Sequence, residues 1–311
     1  MITAPAPEML WESADAVAEL PRRFGFTAPG RAVAWAVELL ADRYGCTVRS
    51  VDRLVISAQN LILWVGTIER GPLLIKVCRL AAAHDWLAAR ADLVDWLAER
   101  DLPVARPVPA ATGERQLLRA GHSIGVQPVL PGNLLDAEDP AQVRAAGAAL
   151  ARLHLALAAW PEPERLDHAG RAPSRFTPWA VPDSAPADLC ELLAARTAEL
   201  PELSELPVQP VHTDFRGANL LCRSGVITGI LDFEEVQLHP AVFDLAHAVC
   251  LLGTWYRDWR PIGPTAQQTL IDSYTELRPL GDPERAWLDP LIGWGMLGLG
   301  WTDEARRRLG R

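Results

Sequence analysis

The chain has 311 residues, of which 49% are apolar and 22% charged, and it carries a net charge of −9 with a pI near 5.3. This length and composition are typical of a globular protein with two domains, and the acidic balance argues against partners such as nucleic acids or anionic membranes. Five scattered cysteines without a C-x-x-C pair indicate reduced thiols, and the N-terminus has no signal-peptide pattern, so we expect a cytoplasmic protein.

The N-terminal part of the chain changes its pattern at Val51. Residues 1–50 are predicted to form a helical extension, and its clearest helix covers residues 31–45, where apolar residues recur every three or four positions up to Gly45. From Val51 onward, short β-type runs replace this pattern and predict a small antiparallel sheet. The three runs are VDRLVIS, LILWVGTIE and PLLIKVC.

The third of these runs contains an unusual residue, Lys76. Of the 30 basic residues in the sequence only one is lysine, which leaves 29 arginines. A lysine ammonium is a compact point charge on a thin stem, whereas the guanidinium of arginine is a broad planar fork. A residue that binds phosphate from a strand needs the compact shape; the alternative is that the single lysine is an accident of drift. The helix predicted next, over residues 81–100, carries Asp85 and Asp92 on one acidic face.

The second half of the chain is predicted to be mainly helical. After two more strand-like runs, ERQLLRA and HSIGVQPVL, Asp139 and Pro140 supply the N-cap and the first-turn proline of a long helix over residues 141–160. Residues 161–186 are rich in proline and predict an extended surface connection. From Trp255 onward the sequence predicts further helices that are rich in tryptophan.

The segment VHTDFRGANLLCRSGVITGILDFEE, residues 211–235, carries the most informative motif. Asp214 lies two positions after His212, Asn219 lies five positions after Asp214, and a short strand-turn-strand then leads to Asp232. Phosphoryl transfer needs a carboxylate that orients the acceptor hydroxyl and further oxygen ligands that hold magnesium on a triphosphate. The spacing matches the kinase catalytic loop H-R-D-L-x-x-x-N followed by D-F-G.

With these motifs the chain resembles the aminoglycoside phosphotransferase family and its relatives, the homoserine and choline kinases. The resemblance covers about residues 50–300 and rests on HTDFRGANLL, GILDFEE and PAVFDLAHA, with LIKV upstream and GAALARLH between them. It implies an α+β, two-lobed protein-kinase-like fold with a small antiparallel β-sheet lobe and a larger, mainly helical lobe. It also implies Mg²⁺ as cofactor, ATP or GTP as phosphoryl donor and the hydroxyl of a small molecule as acceptor.

The resemblance further implies roles for individual residues. Asp214 is the catalytic base on this likeness, and Asn219 and Asp232 are the magnesium ligands. In the N-terminal lobe, the implied nucleotide-binding residues are Lys76 for the α and β phosphates and the backbone of Gln127 to Val129 for the base.

Two features of the N-terminal lobe leave its nucleotide contacts open. The turn of residues 57–60 contains no glycine, so the glycine-rich phosphate loop of protein kinases is absent. The carboxylate that pairs with Lys76 is either Asp85 or Asp92, and Asp92 is preferred.

Two residues beside the motif have predicted supporting roles. Arg216, two positions after Asp214, is predicted to stabilise the charge of the transferred phosphoryl group; the alternative is a surface arginine that pairs with an acid. Asp244, in PAVFDLAHA, resembles the family aspartate that braces the catalytic loop from the start of a helix. The alternative for Asp244 is a simple helix cap.

These assignments predict a division into two lobes. The N-terminal lobe covers residues 1–126 and consists of the helical extension over residues 1–50 and a β-rich nucleotide-binding part over residues 51–126. A hinge is expected at residues 127–132. The C-terminal helical lobe, residues 127–311, is predicted to contain the catalytic loop and the acceptor site.

Two alternatives of other classes are weaker. A metal-dependent hydrolase could use the cluster of His212, Asp214, His239, Asp244 and His247, but this reading explains neither the Asp-to-Asn spacing nor the lone lysine. A non-catalytic nucleotide-binding protein would fit the missing glycine loop. However, the side chains that the chemistry requires are all present.

The acceptor is less well defined than the reaction. The acidic balance and the likeness to resistance enzymes favour an aminoglycoside or nucleoside-type antibiotic, and a metabolic kinase of homoserine or choline type is the alternative. The tryptophans at positions 255, 259, 294 and 301 are interpreted as core residues in preference to a sugar-stacking site. The sequence does not decide between ATP and GTP, and it does not determine the oligomeric state.

Overall fold

The computed structural model describes residues 2–166, 185–198, 200–202 and 205–310. Most of the connection predicted over residues 161–186 lies outside the described residues. The chain divides into two compact units. The first comprises Met1–Glu99 with Val104–Leu130, and the second comprises Arg100–Pro103 with Pro131–Arg311.

The first unit is built on a six-stranded sheet. Its strands are β1 (Pro7–Met9), β2 (Val48–Ile56), β3 (Asn60–Thr67), β4 (Gly71–Cys78), β5 (Gln116–Arg119) and β6 (His122–Pro128). Their order across the sheet is β1-β2-β3-β4-β6-β5. Every neighbouring pair is antiparallel except β1 and β2, which are parallel. The strand β4, which carries Lys76, is therefore an interior strand.

Three helices accompany this sheet: α1 (Ala16–Phe24), α2 (Pro29–Tyr44) and α3 (His84–Ala98). The helices α1 and α2 share one apolar core with the sheet, in which Leu20 and Leu39 pack with Leu63 and Ile75, all fully buried. Burying one such side chain contributes about 1.5–3 kcal/mol. The helix α2 ends at Gly45, whose φ of 60° is left-handed, so the predicted helix and its stop are confirmed.

The predicted N-terminal helical extension is confirmed by α1 and α2, but it also contains a strand that was not predicted. Residues 1–50 are not helical throughout, because Pro7–Met9 forms a strand and β2 already begins at Val48. The short strand forms because its backbone pairs with Leu54–Ile56 at the edge of the sheet, which is a tertiary contact that local periodicity does not reveal. The predicted small antiparallel sheet followed by a helix is confirmed.

The second unit is mainly helical. Its helices are α4 (Pro140–Leu157), α5 (Ala187–Thr197), α6 (Ala241–Leu251), α7 (Pro264–Thr275), α8 (Asp282–Gly298) and α9 (Thr302–Leu309). Its strands are β7 (Asn133–Leu134), β8 (Val208–Val211), β9 (Leu220–Arg223), β10 (Val226–Ile230) and β11 (Gln237–Pro240). They form a three-stranded sheet, β10-β9-β7, and a two-stranded sheet, β11-β8. The α+β fold predicted from the sequence, with a sheet lobe followed by a helical lobe, is confirmed.

Local sequence signals explain how two of these elements begin and turn. Asp139 caps α4, since its Oδ1 accepts a hydrogen bond from the Ala141 N–H at 2.9 Å, and Pro140 is the first helical residue, as predicted. The hairpin of β9 and β10 turns through Ser224 and Gly225, whose φ values are 52° and 75°. Two consecutive positive φ values are the signature of a type I′ hairpin turn, which brings the chain back within a few residues.

The tryptophans do not all lie in the core. Trp294 is buried, as predicted, and Trp301 is half-buried. Trp255 and Trp259 are 38% and 40% exposed, so their assignment to the core is wrong. The cause is that the segment between α6 and α7 is a surface loop, in which helical periodicity does not apply. Within the residues that the structure describes, none of the helices is long and apolar enough to cross a membrane.

Candidate active site

The predicted catalytic motif lies in the loop between β8 and β9. The loop begins with a strained residue, since Thr213 has a φ of 63°, and a left-handed β-branched residue costs on the order of 1–3 kcal/mol. Two hydrogen bonds offset this cost. The Thr213 N–H donates to Asp244 Oδ1 at 2.8 Å, and the Thr213 hydroxyl donates to the Glu235 carbonyl at 2.7 Å.

Asp244 holds this loop from the helix α6. Besides Thr213, its carboxylate accepts a hydrogen bond from the His212 N–H, at 2.9 Å to Oδ2. No side chain caps α6 at its N-cap residue, Pro240, so Asp244 braces the loop and does not cap the helix. Burial alone would raise the pKa of Asp244, but the hydrogen bond from His154 and the nearby histidines outweigh it and lower the pKa to about 2.

His154 and Tyr274 complete this arrangement, and sequence reasoning did not assign either of them a role. His154 Nε2 lies 2.9 Å from Asp244 Oδ2, and His154 Nδ1 lies 2.7 Å from the Tyr274 hydroxyl. All three side chains are buried. A signal for His154 was present, because this ionisable residue sits between Leu150 and Leu157 on the apolar face of α4 and must therefore have a buried partner.

Asp214 is held by two neighbours on the same loop. The Asn219 side-chain amide donates to Asp214 Oδ2 at 2.7 Å and to the Asp214 carbonyl at 2.9 Å. Arg216 Nε lies 3.0 Å from Asp214 Oδ1. Burial raises the pKa of Asp214 to about 6, against the opposing effect of Arg216 and with a further upward contribution from Asp232. The result is a carboxylate with a defined orientation and a pKa suited to receive a proton near neutral pH.

Arg216 is not the surface arginine of the alternative interpretation. It is only 5% exposed, and besides pairing with Asp214 its guanidinium lies 5.8 Å from the centroid of the Trp259 ring. The structure therefore brings Arg216 to the predicted base. Its role at the transferred phosphoryl group stays a prediction.

The second predicted acidic residue, Asp232, follows the hairpin. It is half-buried in a left-handed conformation with a φ of 66°, and its charge is one cause of the raised pKa of Asp214. The residue before it is tied to the catalytic loop, because the Leu231 N–H donates to the Asn219 carbonyl at 2.8 Å. The His212 ring, which burial keeps neutral by lowering its pKa, donates from Nε2 to the Leu231 carbonyl at 3.0 Å.

The residues at this loop fit a hard cation. Asn219 donates to Asp214 through its amide nitrogen, which leaves its Oδ1 as a ligand atom, and Asp232 supplies a carboxylate. Oxygen ligands of this kind suit Mg²⁺. Across the described part of the chain, no group of three or more His, Cys, Asp and Glu residues is placed to hold a metal ion.

Of the nucleotide-binding residues predicted in the first unit, Lys76 and Gln127 lie on its sheet, and Val129 directly follows β6. Lys76 is half-buried on β4 and lies between Ile62 of β3 and Gly125 of β6. Its neighbours in sequence, Ile75 and Val77, point into the core shared with α1 and α2, so Lys76 points to the opposite face of the sheet. The compact lysine therefore extends from a rigid, interior strand.

At Val129, the structure restricts the predicted contact with the nucleotide base to one backbone group. Gln127 pairs with Leu74 in the sheet, and the Val129 N–H donates to the Pro72 carbonyl at 3.1 Å. The predicted contact of Val129 with a nucleotide base therefore concerns its carbonyl group. The turn between β2 and β3 contains no glycine. It is closed by a backbone hydrogen bond that the Ser57 N–H donates to the Asn60 carbonyl at 2.8 Å.

Two aspartates of α3 pair with arginines that lie outside the helix, and the sequence did not indicate this cluster. Asp95 is buried and pairs with Arg106 Nε at 2.7 Å and with Arg115 Nη2 at 2.5 Å. Arg115 also lies 3.3 Å from Asp92, whereas Asp85 is exposed. The pairing of Asp92 with the single lysine stays a prediction.

His247 on α6 gives the second unit an expected response to acid. Burial lowers the pKa of His247 to about 4, although Asp244 raises it in part. In the unfolded chain the pKa is about 6.5, so below this pH only the unfolded state takes up the proton. The free energy of unfolding should therefore fall as the pH drops from about 6.5 to 4, and His247→Gln should remove up to about 3 kcal/mol of that fall. Urea unfolding of both proteins across this range checks the expectation; parallel pH profiles would contradict it.

Comparison with known proteins places this geometry in a family. The profile of the phosphotransferase enzyme family matches residues 53–290, which is more than half of the chain. A homoserine kinase of Gluconobacter oxydans is 27% identical over 212 residues, which cover 64% of this chain. The match also covers 64% of that enzyme, so it spans less than two thirds of the relative's length.

Two solved structures show the same fold. A microcompartment-associated aminopropanol kinase has a TM-score of 0.62 at 18% identity, covering 89% of this chain and 93% of its own. The spectinomycin phosphotransferase APH(9)-Ia, in complex with ADP and spectinomycin, has a TM-score of 0.58 at 14% identity and covers 89% of this chain and 88% of its own. The fold is thus α+β and kinase-like. Because the family profile spans both the β4 lysine and the Asp214 loop, the chain belongs to the phosphotransferase enzyme family.

Proposed function

We propose that the chain transfers the γ-phosphoryl group of ATP or GTP to a hydroxyl group of a small molecule. The observation that carries the proposal is the fixed carboxylate of Asp214, which Asn219 and Arg216 orient on a loop braced by Asp244. Asp214 orients the acceptor hydroxyl and receives its proton as the phosphoryl group is transferred.

The remaining residues bind the donor in this proposal. Asn219 and Asp232 hold magnesium, which when bound offsets the negative charge of the triphosphate. Lys76 binds the α and β phosphates and pairs with Asp92. The backbone of Gln127 and Val129 contacts the base.

A metabolic acceptor is the first candidate. The curated relative quoted above is a homoserine kinase and one solved structure is an aminopropanol kinase, so two similar proteins have short amino alcohols in their names. Other relatives at 28–30% identity are also homoserine kinases. This support favours a metabolic kinase over an antibiotic-resistance enzyme, and homoserine is the first acceptor to test.

An antibiotic with a ring system is the second candidate. The observation that favours it is the exposure of Trp255 and Trp259 next to the catalytic loop, because a short aliphatic acceptor does not need a large aromatic surface. The non-catalytic alternative is disfavoured, since a decayed enzyme has no reason to retain both the oriented Asp214 and its buried brace Asp244.

Mass spectrometry of reactions with magnesium and either ATP or GTP tests the proposal. The acceptor panel contains L-homoserine, choline, 1-amino-2-propanol, kanamycin, spectinomycin and uridine. A product heavier by one phosphoryl group, formed by the natural protein and not by Asp214→Asn, supports the kinase and identifies its acceptor class. Absence of nucleotide binding in the natural protein would refute the proposal.

Lys76→Arg should weaken nucleotide binding although the charge is kept. The guanidinium is a planar fork, and at an interior strand position it cannot place a point charge where the ammonium does. We expect the KM for ATP to rise about tenfold or more, which corresponds to about 1.4 kcal/mol. Arg119→Lys on the edge strand β5 is the matched control and should leave the KM unchanged. An unaltered KM in Lys76→Arg would show that the single lysine is incidental.

A further inference from the structure

The β2–β3 turn, residues 57–60, has backbone groups that the fold leaves open. Ala58 and Gln59 are exposed, and among the described residues neither of their N–H groups has a hydrogen-bond acceptor. The turn is closed around them, since the Ser57 N–H donates to the Asn60 carbonyl at 2.8 Å and the Asn60 N–H donates to the Ser57 hydroxyl at 3.1 Å. Successive N–H groups in a turn are a recurrent binding site for anions. The β2–β3 turn therefore suits the phosphates of a nucleotide.

This turn lies next to the strand that carries Lys76. Asn60 pairs with Cys78 across β3 and β4, and the Arg79 N–H donates to the Gln59 carbonyl at 3.1 Å. The Arg79 side chain also donates to the Gln59 side chain, from Nε to Oε1 at 3.1 Å. Lys76 precedes Cys78 by two residues on the same strand. A strand rises about 3.3 Å per residue, so one triphosphate is long enough to contact both Lys76 and the turn.

Arg23 of α1 holds the β2–β3 turn in place. Its Nη1 donates to the Ser57 carbonyl at 3.1 Å and to Glu12 Oε1 at 3.2 Å. The Nη2 of the same guanidinium pairs with Glu12, and its Nε pairs with Glu19. The Arg23 side chain is only 10% exposed, which shields these contacts from water. The planar guanidinium is therefore fixed on three sides, and it fixes the Ser57 carbonyl in turn.

The hydrogen bond to the Ser57 carbonyl also sets the direction of the Ala58 N–H. Both groups belong to one planar peptide unit, and the described residues contain no cis peptide bond, so the two groups point in opposite directions. The carbonyl points to Arg23 on α1, and the Ala58 N–H therefore points away from α1. Lys76 also points away from the sheet face that α1 and α2 cover. Arg23 thus directs an open N–H group to the same side of the sheet as Lys76.

The segment before α1 is attached to the strand that leads into the turn. Pro7–Met9 pairs with Leu54–Ile56, and the Leu10 N–H donates to the carbonyl of the last residue of that strand at 2.9 Å. Residues 7–23, which we call the N-terminal brace, therefore hold the end of β2 as well as the turn. The brace lies outside the part of the chain that the family profile matches, since that match begins at residue 53. Its role therefore rests on the contacts of this chain alone.

We propose that Arg23 is a positioning residue for the phosphoryl donor, because it holds the β2–β3 turn in the shape that presents the Ala58 and Gln59 N–H groups to the phosphates. This inference rests on the proposed phosphotransferase function and adds a determinant of donor binding. A glycine-rich loop has the backbone freedom to close on phosphates after they bind. A turn without glycine lacks that freedom, and a shape that is fixed in advance lowers the entropic cost of binding.

Calorimetric titration of the full chain with magnesium and ATP, GTP, adenosine or guanosine tests the role of Arg23. We expect Arg23→Gln to raise the dissociation constant of the triphosphate that the natural protein binds about tenfold, which is a usual effect of losing a charge-assisted hydrogen bond. The dissociation constant of the corresponding nucleoside, which has no phosphate, should not change. Arg22→Gln on the same helix is the matched control and should change neither constant, since Arg22 pairs with Glu19 and is 66% exposed.

The nucleoside separates a positioning role from a structural one. A general loss of stability weakens the binding of nucleoside and triphosphate alike, whereas loss of the brace acts only on ligands with phosphates. Glu12→Gln is a milder second variant, which replaces Arg23→Gln if circular dichroism shows that Arg23→Gln does not fold. It removes the charge that orients Arg23 and should raise the dissociation constant of the triphosphate about threefold. Glu8→Gln is its control, because the exposed Glu8 pairs with Arg53 of β2 and not with Arg23.

The outcomes distinguish this inference from the proposed function. Selective weakening of triphosphate binding supports the role of Arg23, and if no acceptor is phosphorylated it does so while counting against the kinase. Equal weakening of triphosphate and nucleoside, or no change in either, overturns the role of Arg23 and leaves the kinase standing. A natural protein that binds neither ATP nor GTP overturns both.

Discussion

Replacing Asp214 by asparagine should lower kcat by about 10²–10⁴-fold, which is the usual contribution of a positioned general base. The asparagine side chain cannot receive the proton of the acceptor hydroxyl. Its carbonyl oxygen can still accept the hydrogen bond that Asn219 donates to Asp214 at 2.7 Å, so the loop should keep its conformation. Release of ADP in the presence of acceptor, together with calorimetric titration of ATP, measures turnover and nucleotide affinity separately.

The loss should be confined to turnover. We expect the nucleotide affinity of Asp214→Asn to remain within a few-fold of the natural protein, because Asp214 is not one of the residues proposed to bind the donor. Asp303→Asn, at an exposed position in the first turn of α9, is the matched control for the change from carboxylate to amide and should keep full turnover. Turnover near that of the natural protein in Asp214→Asn would remove the catalytic assignment.

Asp244→Asn should have the largest effect on stability. The Asp244 carboxylate accepts hydrogen bonds from the backbone N–H groups of His212 and Thr213 and from the ring of His154. An asparagine offers one acceptor oxygen in place of two, and its amide group would face a buried N–H donor. Leaving a buried N–H donor without its charged acceptor in this way costs about 1–3 kcal/mol or more. Urea unfolding monitored by circular dichroism measures this loss.

The same substitution should also lower turnover, because the strained conformation of Thr213 depends on Asp244. Turnover is therefore measured at low temperature, where circular dichroism shows the variant to be folded. Asp272→Asn on the exposed face of α7 provides the control for a carboxylate outside this network. A variant that unfolds like the natural protein would mean that Asp244 is not the brace of the catalytic loop.

Local patterns in the sequence were sufficient for much of the fold. The period of apolar residues predicts α2, and Gly45 predicts its end. Asp139 and Pro140 predict the start of α4. The sequence also predicts the short hairpin turn between β9 and β10. These features depend on interactions between residues that are close in sequence. The strand Pro7–Met9 escaped prediction because it exists only by pairing with β2, more than forty residues away.

The same distinction applies to the candidate site. Asp214, Asn219 and Asp232 lie within nineteen residues in one motif, and their spacing alone predicted that they act together. The structure agrees for Asp214 and Asn219, which share a hydrogen bond of 2.7 Å, and Asp232 acts on the pKa of Asp214. Lys76 is predicted to bind phosphate because the sequence contains no other lysine, and this observation depends on composition alone.

The sequence by itself thus determined the fold class and the family resemblance, and it predicted the residues for phosphoryl transfer, because these depend on local periodicity and on short spacing. Only the tertiary structure decided what holds those residues in place. Asp244, His154 and Tyr274 form one hydrogen-bonded chain across separations of 90 and 120 residues, and no local pattern encodes such contacts. The exposure of Trp255 and Trp259 was likewise decided by packing, because a tryptophan belongs to a core or to a surface according to what the rest of the chain places against it.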